Sequence, residues 1–520
     1  MDSKDYFLAE GSLTWWAIGA SLIASNISAE QFIGMSGAGF ELGLAIATYE
    51  WMAALTLIIV AVFFIPVYLK NKIFTMPQFL SQRYNPTVAM IMAVFWLLLY
   101  VIVNLTSILF LGAIAVSSIS GLDFTACMLG LAVFAILITL GGMKVIGYTD
   151  VVQVFFLILG GLATTYLALD LVATHFGESG VGSGFNLITT KASEHFHMIL
   201  NKEHKNYLDL PGLTVLLGGM WIVNLSYWGC NQYITQRALG ADLQTARGGL
   251  LFAAFLKLLM PIIVVLPGIA AYLLFKEEVF TTEMMMDGEI KPDKAYPVLL
   301  NLLPSGLKGL SFAALTAAVV ASLAGKANSI ATIFTLDVYN KVFNTQASEK
   351  RLVWVGKITV VVAMILAVVI APFLGIEKGG FKYIQEYSGF VSPGIFAMFI
   401  LGFFWKRTTS NAALFATIGG FLMSILLKFL PGMVDLSFLQ PFGFSVLKDG
   451  VYEIPFLDRM GFVFVFCILG MVIISMIENK NNDNPKGLEI DRSMFKPSPG
   501  FIGGSVLIIG VLIALYSIYW

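Results

Sequence analysis

Charge is what this chain has least of. Only 12% of its 520 residues are Asp, Glu, Lys or Arg, against roughly 25% in an ordinary soluble domain, while 58% are hydrophobic and the mean hydropathy is +0.85. So few charges cannot cover a water-soluble fold of this size, and the composition describes a polytopic membrane protein. The signs nearly cancel, 31 Lys and Arg against 32 Asp and Glu, which leaves no basic field for nucleic acid or for a peripheral role on a membrane surface. Cysteine is scarce too. Cys127, Cys230 and Cys467 lie inside apolar segments without ligand spacing, so a disulfide framework or zinc site is not expected and they read as small packing residues. The four histidines, His175, His195, His197 and His204, fall in one polar connection and read as solvated surface residues, leaving none within the membrane for catalysis or proton relay. No nucleophile–base pair or metal cluster supports an enzyme. The opening "MDSKDYFLAEGS" is polar and acidic, unlike a cleavable signal peptide.

What the chain has in abundance is long apolar runs. A membrane helix needs roughly 20 mostly apolar residues, and about thirteen such runs are expected, centred near residues 25, 55, 103, 132, 160, 223, 260, 318, 363, 393, 420, 468 and 510. Runs of this length make helices, since barrel strands alternate over about ten residues. The fold class is an all-α bundle. With the N-terminus inside, the cytoplasmic connections carry Lys70, Lys72 and Arg83, then Lys144, Arg237 and Arg247, Lys341, Lys350 and Arg351, Lys406 and Arg407, and Lys480 and Lys486. The outside stretch 276–308 mixes its lysines with Glu277, Glu278, Glu283, Asp287, Glu289 and Asp293. An odd number of spans puts the C-terminal Trp520 outside, where Tyr516, Tyr519 and Trp520 suit an aromatic belt. A multi-pass protein of the plasma (inner) membrane is expected, with lipid as its environment and no obligate protein partner.

The first run is interrupted. "SLIASNISAEQFIGMSG", residues 21–37, sets an amide, hydroxyls, a carboxylate and a second amide at mid-depth, and the sixth run repeats the interruption with "VNLSYWGCNQ". Ten runs divide into two fives, so the second half enters with opposite orientation. Paired broken helices in inverted halves point to a secondary transporter. At a break, backbone N–H and C=O groups are freed, and within a bilayer they are tolerated where they line a cavity or hold an ion. The simpler reading, in which Asn26, Ser28 and Gln31 only glue helices together, accounts for one such residue better than for a cluster repeated at the equivalent run.

Other costly residues lie in or at the ends of apolar runs: Glu50, Asp150, Lys257, Lys326 and Gln385. Asp150 also reads as a cap at the start of the fifth helix, and Glu50 with Lys257 as a buried structural ion pair. Amides, a carboxylate, an ammonium and the rings of Tyr227 and Trp228 suit a polyhydroxylated sugar, whose hydroxyls both donate and accept while its C–H face packs on a ring. An amino acid or carboxylate substrate, which calls for an unpaired cation or exposed helix N-termini, stays open at this level.

"SLIASNISAEQFIGMSG", "YEWM", "YTDVVQVFF", "YWGCNQYITQR", "AAFLKLLMP", "NSIATIFTLD" and "YIQEYSGFVSPG" follow one another as do the motifs of the sodium/solute symporter family. The chain resembles that family over essentially its whole length, and within it the bacterial sodium/galactose branch. The resemblance implies a leucine-transporter-like inverted five-plus-five helix repeat. The core would be 1–409, with repeats at about 10–171 and 212–407, followed by about three peripheral helices in 410–520. It implies sodium-coupled import of a galactose- or glucose-like hexose by alternating access. Sugar contacts would be Gln31, Glu50, Asn224, Lys257 and Gln385, with Asn26 nearby. Tyr227 would be the inner gate, and Met35, Tyr49 and Phe381 the outer one. Sodium would be held by carbonyls of Ala24, Ile27 and Ala318 and the Ser322 hydroxyl, with Asp150 close behind. Ala53 stands where that branch has a sugar-contacting serine, Ala321 replaces one of two sodium-site serines, and Gly325–Lys326 replaces a Ser-Met pair.

These departures define the alternatives. One is a proton-driven or uncoupled sugar carrier in which the Lys326 ammonium takes sodium's place as a tethered cation. Helical spacing sets Lys326 about 6 Å beyond Ser322 on nearly the same face, with its stem leaning back toward the sodium locus. The other is a transporter-like solute sensor, against which stands the shortness of the polar segment near 478–497.

Overall fold

The computed structural model describes residues 14–520 apart from 29, 74, 141–142, 287, 374–378 and 480–483, and describes no side chains at 141–153, 233, 236 and 237. Within hydrocarbon every backbone polar group must be paired inside its own segment, and the apolar runs accordingly fold as helices. The first is split into α1 (Trp15–Asn26) and α2 (Ser36–Leu42), separated by a break and a π-turn, Glu30–Met35. Then come α3 (Thr48–Ile59), α4 (Pro86–Leu98) and α5 (Thr106–Ser120) joined by π-helical Leu99–Leu105, α6 (Phe124–Leu140) and α7 (Met143–His175). A second set follows: α8 (Gly219–Cys230) and α9 (Gln232–Leu239), α10 (Leu243–Lys276), α11 (Ser305–Thr332), α12 (Glu349–Ile370), and the bent pair α13 (Gly380–Ser388) and α14 (Ser392–Phe404). Beyond them lie α15 (Gly420–Phe429), α16 (Phe456–Glu478) and α17 (Pro499–Ile518).

Among the described residues nine helical stretches are long and apolar enough to cross a bilayer alone, ten with the bent pair, fewer than the about thirteen runs expected from apolar length. The difference is geometric. The stretch Glu30–Lys70 registers as one helix, yet Gln31 and Glu50, 19 residues apart, touch at 3.2 Å, where one continuous helix would separate them by about 28 Å. The chain folds back at Gly43, whose φ of 72° lies in the left-handed region and whose missing Cβ admits the His195 carbonyl. Elsewhere the breaks leave α1, α8 and α9 too short to count, and α6 has only 17 residues.

Loop contacts define two faces. On one, Met198 N–H donates to the Tyr519 carbonyl at 2.7 Å, Lys276 pairs with Glu194 at 3.3 Å, and Lys202 donates to the Pro441 carbonyl at 2.8 Å. On the other, buried Arg83 donates to the carbonyls of Gly402, Trp405, Lys406 and Thr408, Arg247 to those of Ala61, Met494 and Lys496, and Lys486 to that of Tyr84. The first half thus begins on the basic face and ends opposite, and the second half runs the other way. Small residues let α10 pack tightly on the first helix: a Cβ on Gly39 would lie 2.7 Å from the Val265 carbonyl oxygen.

Two expectations are corrected. His195 is not a solvated residue: it is 6% exposed, stacks on Tyr272 at 3.7 Å and faces the Phe40 carbonyl at 3.0 Å, because the loop carrying it folds down over the Gly43 turn. Asp150 does not cap a helix, since α7 already begins at Met143. The three cysteines are buried and free.

Candidate functional site

Three interruptions meet at one cavity. At the first, Ile27 leaves the helix with ψ 103°, and Gln31 N–H, which in a continuous helix would go to the Ile27 carbonyl, donates to the Ser28 carbonyl at 3.1 Å. At the second, Asn231 is extended between α8 and α9, and Tyr100 donates to its side-chain oxygen at 2.7 Å. At the third, α13 and α14 are bent by 49°. The π-turns Glu30–Met35 and Leu99–Leu105 add to these, turning Glu30, Gln31, Tyr100 and Asn104 onto the cavity wall. Such π-turns in long helices recur at functional sites.

Gln31, Glu50, Asn224, Lys257, Gln385 and Asn26 all line this cavity. Most belong to one hydrogen-bonded chain. Lys257 Nζ donates to Glu50 Oε2 at 2.6 Å and to Asn26 Oδ1, Gln31 Nε2 donates to Glu50 Oε1 at 3.2 Å, and Asn26 Nδ2 donates to the Tyr227 hydroxyl at 3.3 Å. Lys257 and Glu50 are 1% and 2% exposed, so each charge depends on the other and on these amides in place of water. The Lys257 ammonium also lies 5.2 Å from the Trp228 ring centre, itself edge-on to Tyr227 at 5.1 Å. The ion pair is therefore both structural and part of the wall. Asn224 donates to the Met220 carbonyl at 3.1 Å. Ala53 lines the cavity as well.

On the side of the Tyr519–Met198 contact the cavity is roofed. Tyr49 and Phe381 meet edge-on at 5.0 Å, both buried, and Gly34 has only hydrogen facing Phe381, where a Cβ would approach within 3.1 Å. Met35 is fully buried but is not among the cavity-lining residues. Helix α13, which carries Phe381 and Gln385, is held at several points. Lys382 pairs with Glu41 at 2.8 Å and Asp209 at 2.9 Å, Glu386 pairs with Lys428 at 2.5 Å and Arg459 at 2.6 Å, and Asp293 Oδ2 accepts from Gly380 N–H at 2.9 Å.

Asp293 places a buried carboxyl under this roof. It sits in the loop Pro292–Lys294, with Oδ1 unpartnered, and burial lifts its carboxyl to about 7; the Gly380 N–H pulls the value down, Glu41 pushes it up, and Lys382 and Lys291 lower it. Opening the roof would return the group to water and to the ordinary range near 4. The closed form therefore binds more protons as pH falls through about 7, and acid favours closure. Lowering the pH on the roofed side from about 8 to about 6 should raise the half-saturating substrate concentration on that side, and Asp293→Asn should flatten that dependence. An unaltered profile in Asp293→Asn, measured by initial uptake rates, would rule the latch out.

Of the sodium set, Ala318 and Ser322 are buried on α11, Ala24 closes the last turn of α1, and Ile27 forms the break. The Asp150 side chain lies outside the described residues. Lys326, one turn beyond Ser322, lines the cavity with its ammonium 4.8 Å from the Tyr100 ring centre. Sequence reasoning counted Glu30 in the polar cluster without giving it a role of its own, and passed over Trp96, Tyr100, Asn104 and Asn231. Glu30 and Asn231 stand inside the interrupted motifs, whereas Trp96 and Tyr100 are ordinary members of an apolar run.

A cavity built where broken helices of oppositely oriented halves meet defines a secondary transporter. The profile of the sodium:solute symporter family matches residues 6–420. A sodium/glucose cotransporter of Vibrio parahaemolyticus is 45% identical over all of this chain and 93% of its own length. The sodium/myo-inositol cotransporter 2 of Oryctolagus cuniculus is 34% identical over 84% of this chain and 67% of its own. Among solved structures, a Na+-coupled sialic acid symporter in a substrate-bound outward-open state superposes with TM-score 0.73 over 91% of this chain and 92% of its own, at 20% identity. A nucleobase-cation-symport-1 family transporter in a closed conformation gives TM-score 0.55 over 95% and 98%, at 13% identity. These structural likenesses concern the fold. The chain belongs to the sodium:solute symporter family.

Proposed function

We propose that this chain imports a neutral hexose of the galactose or glucose type together with sodium, by alternating access. One observation carries the reading. The cavity at the helix breaks offers amides, a buried carboxylate–ammonium pair and the rings of Tyr227 and Trp228 along one wall-lined space, the donor and acceptor set that sugar hydroxyls and a C–H face require. Family membership and the Vibrio relative's name support it. Gln31, Glu50, Asn224, Lys257, Gln385 and Asn26 contact the sugar in this reading, and Ala53, without a hydroxyl, narrows which sugar position is read. Tyr49, Phe381 and, from behind, Met35 close the outer side, and Tyr227 the inner.

Sodium is cargo, held by the carbonyls of Ala24, Ile27 and Ala318, the Ser322 hydroxyl and Asp150. It ties α1 to α11 and stabilises the outward-facing state that accepts sugar; release inside loosens both. Coupling needs only that sodium bind one state more tightly than the other. The basic face carrying Arg83, Arg247 and Lys486 is cytoplasmic by the excess of Lys and Arg on that side. The N-terminus is then inside, and the C-terminal Trp520, beside His197, is outside a bacterial-type inner membrane. The helices after residue 409 are peripheral.

Uptake of labelled galactose, glucose and myo-inositol into proteoliposomes, with and without a sodium gradient, tests the reading. Sodium-driven accumulation of a hexose is expected. Equal uptake with a proton gradient alone would favour the proton-driven or uncoupled carrier, and binding without accumulation the sensor.

Tyr227 gives a separate check. Tyr227→Ala removes the ring and the Asn26 partner, so counterflow should speed up while accumulation falls severalfold. Unchanged kinetics in a well-expressed variant would take the gate away from Tyr227.

A further inference from the structure

The chain linking Gln31, Glu50, Lys257, Asn26 and Tyr227 is largely closed on itself. Both Glu50 oxygens are engaged, Asn26 gives its amide to Tyr227 and its oxygen to Lys257, and Gln31 gives its amide to Glu50. Of these residues only Gln31 keeps a buried side-chain oxygen, Oε1, with no hydrogen-bond partner. Beside it the same is true of Glu30 Oε1. Glu30 and Gln31 are successive residues of the π-turn, and both line the cavity. Adjacent residues of a helix point well apart, so the cavity reaches round this turn to meet both of them. A carboxylate there needs compensation. The opposite charge acting on Glu30 is Lys326, whose ammonium lies against the Tyr100 ring on the same cavity. The cavity thus holds one joined acid–base couple, Glu50 with Lys257, and a second acid, Glu30, that shares the wall with Lys326. The first is joined by a short hydrogen bond, whereas Glu30 retains an acceptor with nothing to accept from.

A buried acceptor without a donor is unfavourable, and a ligand hydroxyl is the group that removes the penalty without adding charge. Water has the same capability, but it cannot distinguish one sugar from another. Resting on the hexose reading, we propose that Glu30 is a further substrate-binding residue that accepts a hydrogen bond from one hydroxyl of the sugar and so sets its specificity, with Lys326 as its countercharge. The ligand class is a neutral polyol presenting hydroxyl donors to two adjacent acceptors, Glu30 Oε1 and Gln31 Oε1. This role also gives Lys326 work at the cavity wall, apart from any part in holding sodium.

The test measures uptake by the full chain in proteoliposomes under a sodium gradient, with galactose, glucose and the series of singly deoxygenated analogues of whichever is transported. Glu30→Gln should raise the half-saturating concentration of the parent sugar about tenfold, the loss of one charge-assisted hydrogen bond. For the single analogue that lacks the contacted hydroxyl, wild type and Glu30→Gln should differ by less than about twofold, while every other analogue keeps the tenfold gap. Glu30→Asp, which preserves the charge facing Lys326 but shortens the reach, should show the same analogue-specific pattern and serves if Glu30→Gln expresses poorly. A uniform loss across all analogues in both variants, or no loss at all, overturns the inference while leaving the transporter reading intact. A wild-type chain that takes up no hexose removes the reading, and the inference with it.

Discussion

Lys257→Ala should abolish sugar uptake. The ammonium is 1% exposed and donates to Glu50 and Asn26. Removing it strands a carboxylate only 2% exposed, and breaking a buried pair from one side costs about 3–5 kcal/mol. Part of that would appear as lost stability, so the informative comparison is with Gln31→Ala. That change spares the ion pair and removes one donor from Glu50 and one acceptor from the cavity. Gln31→Ala should express normally and weaken sugar binding about tenfold, for a loss of roughly 1–3 kcal/mol. Glu50→Gln combined with Lys257→Met, a neutral pair of similar volume, should restore expression without restoring uptake. Sugar affinity unchanged in both Gln31→Ala and the neutral pair would remove the pocket assignment.

Replacing sodium by choline should bring hexose accumulation to background, and Ser322→Ala should raise the half-saturating sodium concentration about tenfold. The hydroxyl is the one side-chain oxygen that α11 offers the ion in this reading, since Ala321 has none, and loss of a buried polar contact to a charge is worth roughly 1.5–3 kcal/mol. Sugar affinity at saturating sodium should change little, because the ligand removed belongs to the ion. Lys326→Met discriminates between two uses of that ammonium. If it serves Glu30 at the cavity wall, sodium dependence is retained and sugar affinity drops. If it is a tethered cation in sodium's place, the wild type depends weakly on sodium and Lys326→Met with Ala321→Ser makes the dependence steep. Choline-insensitive uptake by the wild type would move the assignment to the tethered cation.

Fold class, broken first and sixth runs and family were legible in the sequence, because each rests on a property that survives without coordinates. Lipid tolerates only helices, so apolar length becomes helix. A polar cluster at mid-depth is too costly to persist without a use, and the motifs "SNISAEQF" and "AAFLKLLMP" stand in the expected order. The runs on either side of Gly43 were legible as separate, but the turn that reverses the chain between them was not, since a hydropathy scan has no means of seeing a positive φ.

The site divides the same way. Glu50 and Lys257 announce themselves as charges among apolar neighbours, 207 residues apart in the chain, but whether they meet each other or a ligand depends on where α3 and α10 pass. Tyr100 and Trp96 carry no signal in an apolar run; only the packing of α4 and the π-turn after it directs them to the cavity. His195, polar and in a loop, reads as solvated until the fold of the chain over Gly43 buries it. Asp293 is one acid among many in a polar loop, and only the fold sets it beneath Gly380. The sequence alone determined solvent, helicity, class and the residues too costly to be idle, because those follow from transfer free energies that each residue carries with it. Which of them share a wall, which oxygens are left without donors and which carboxyl titrates near neutrality were decided only by the tertiary structure, because hydrogen bonds and burial depend on ångström-scale placement between segments distant in the chain.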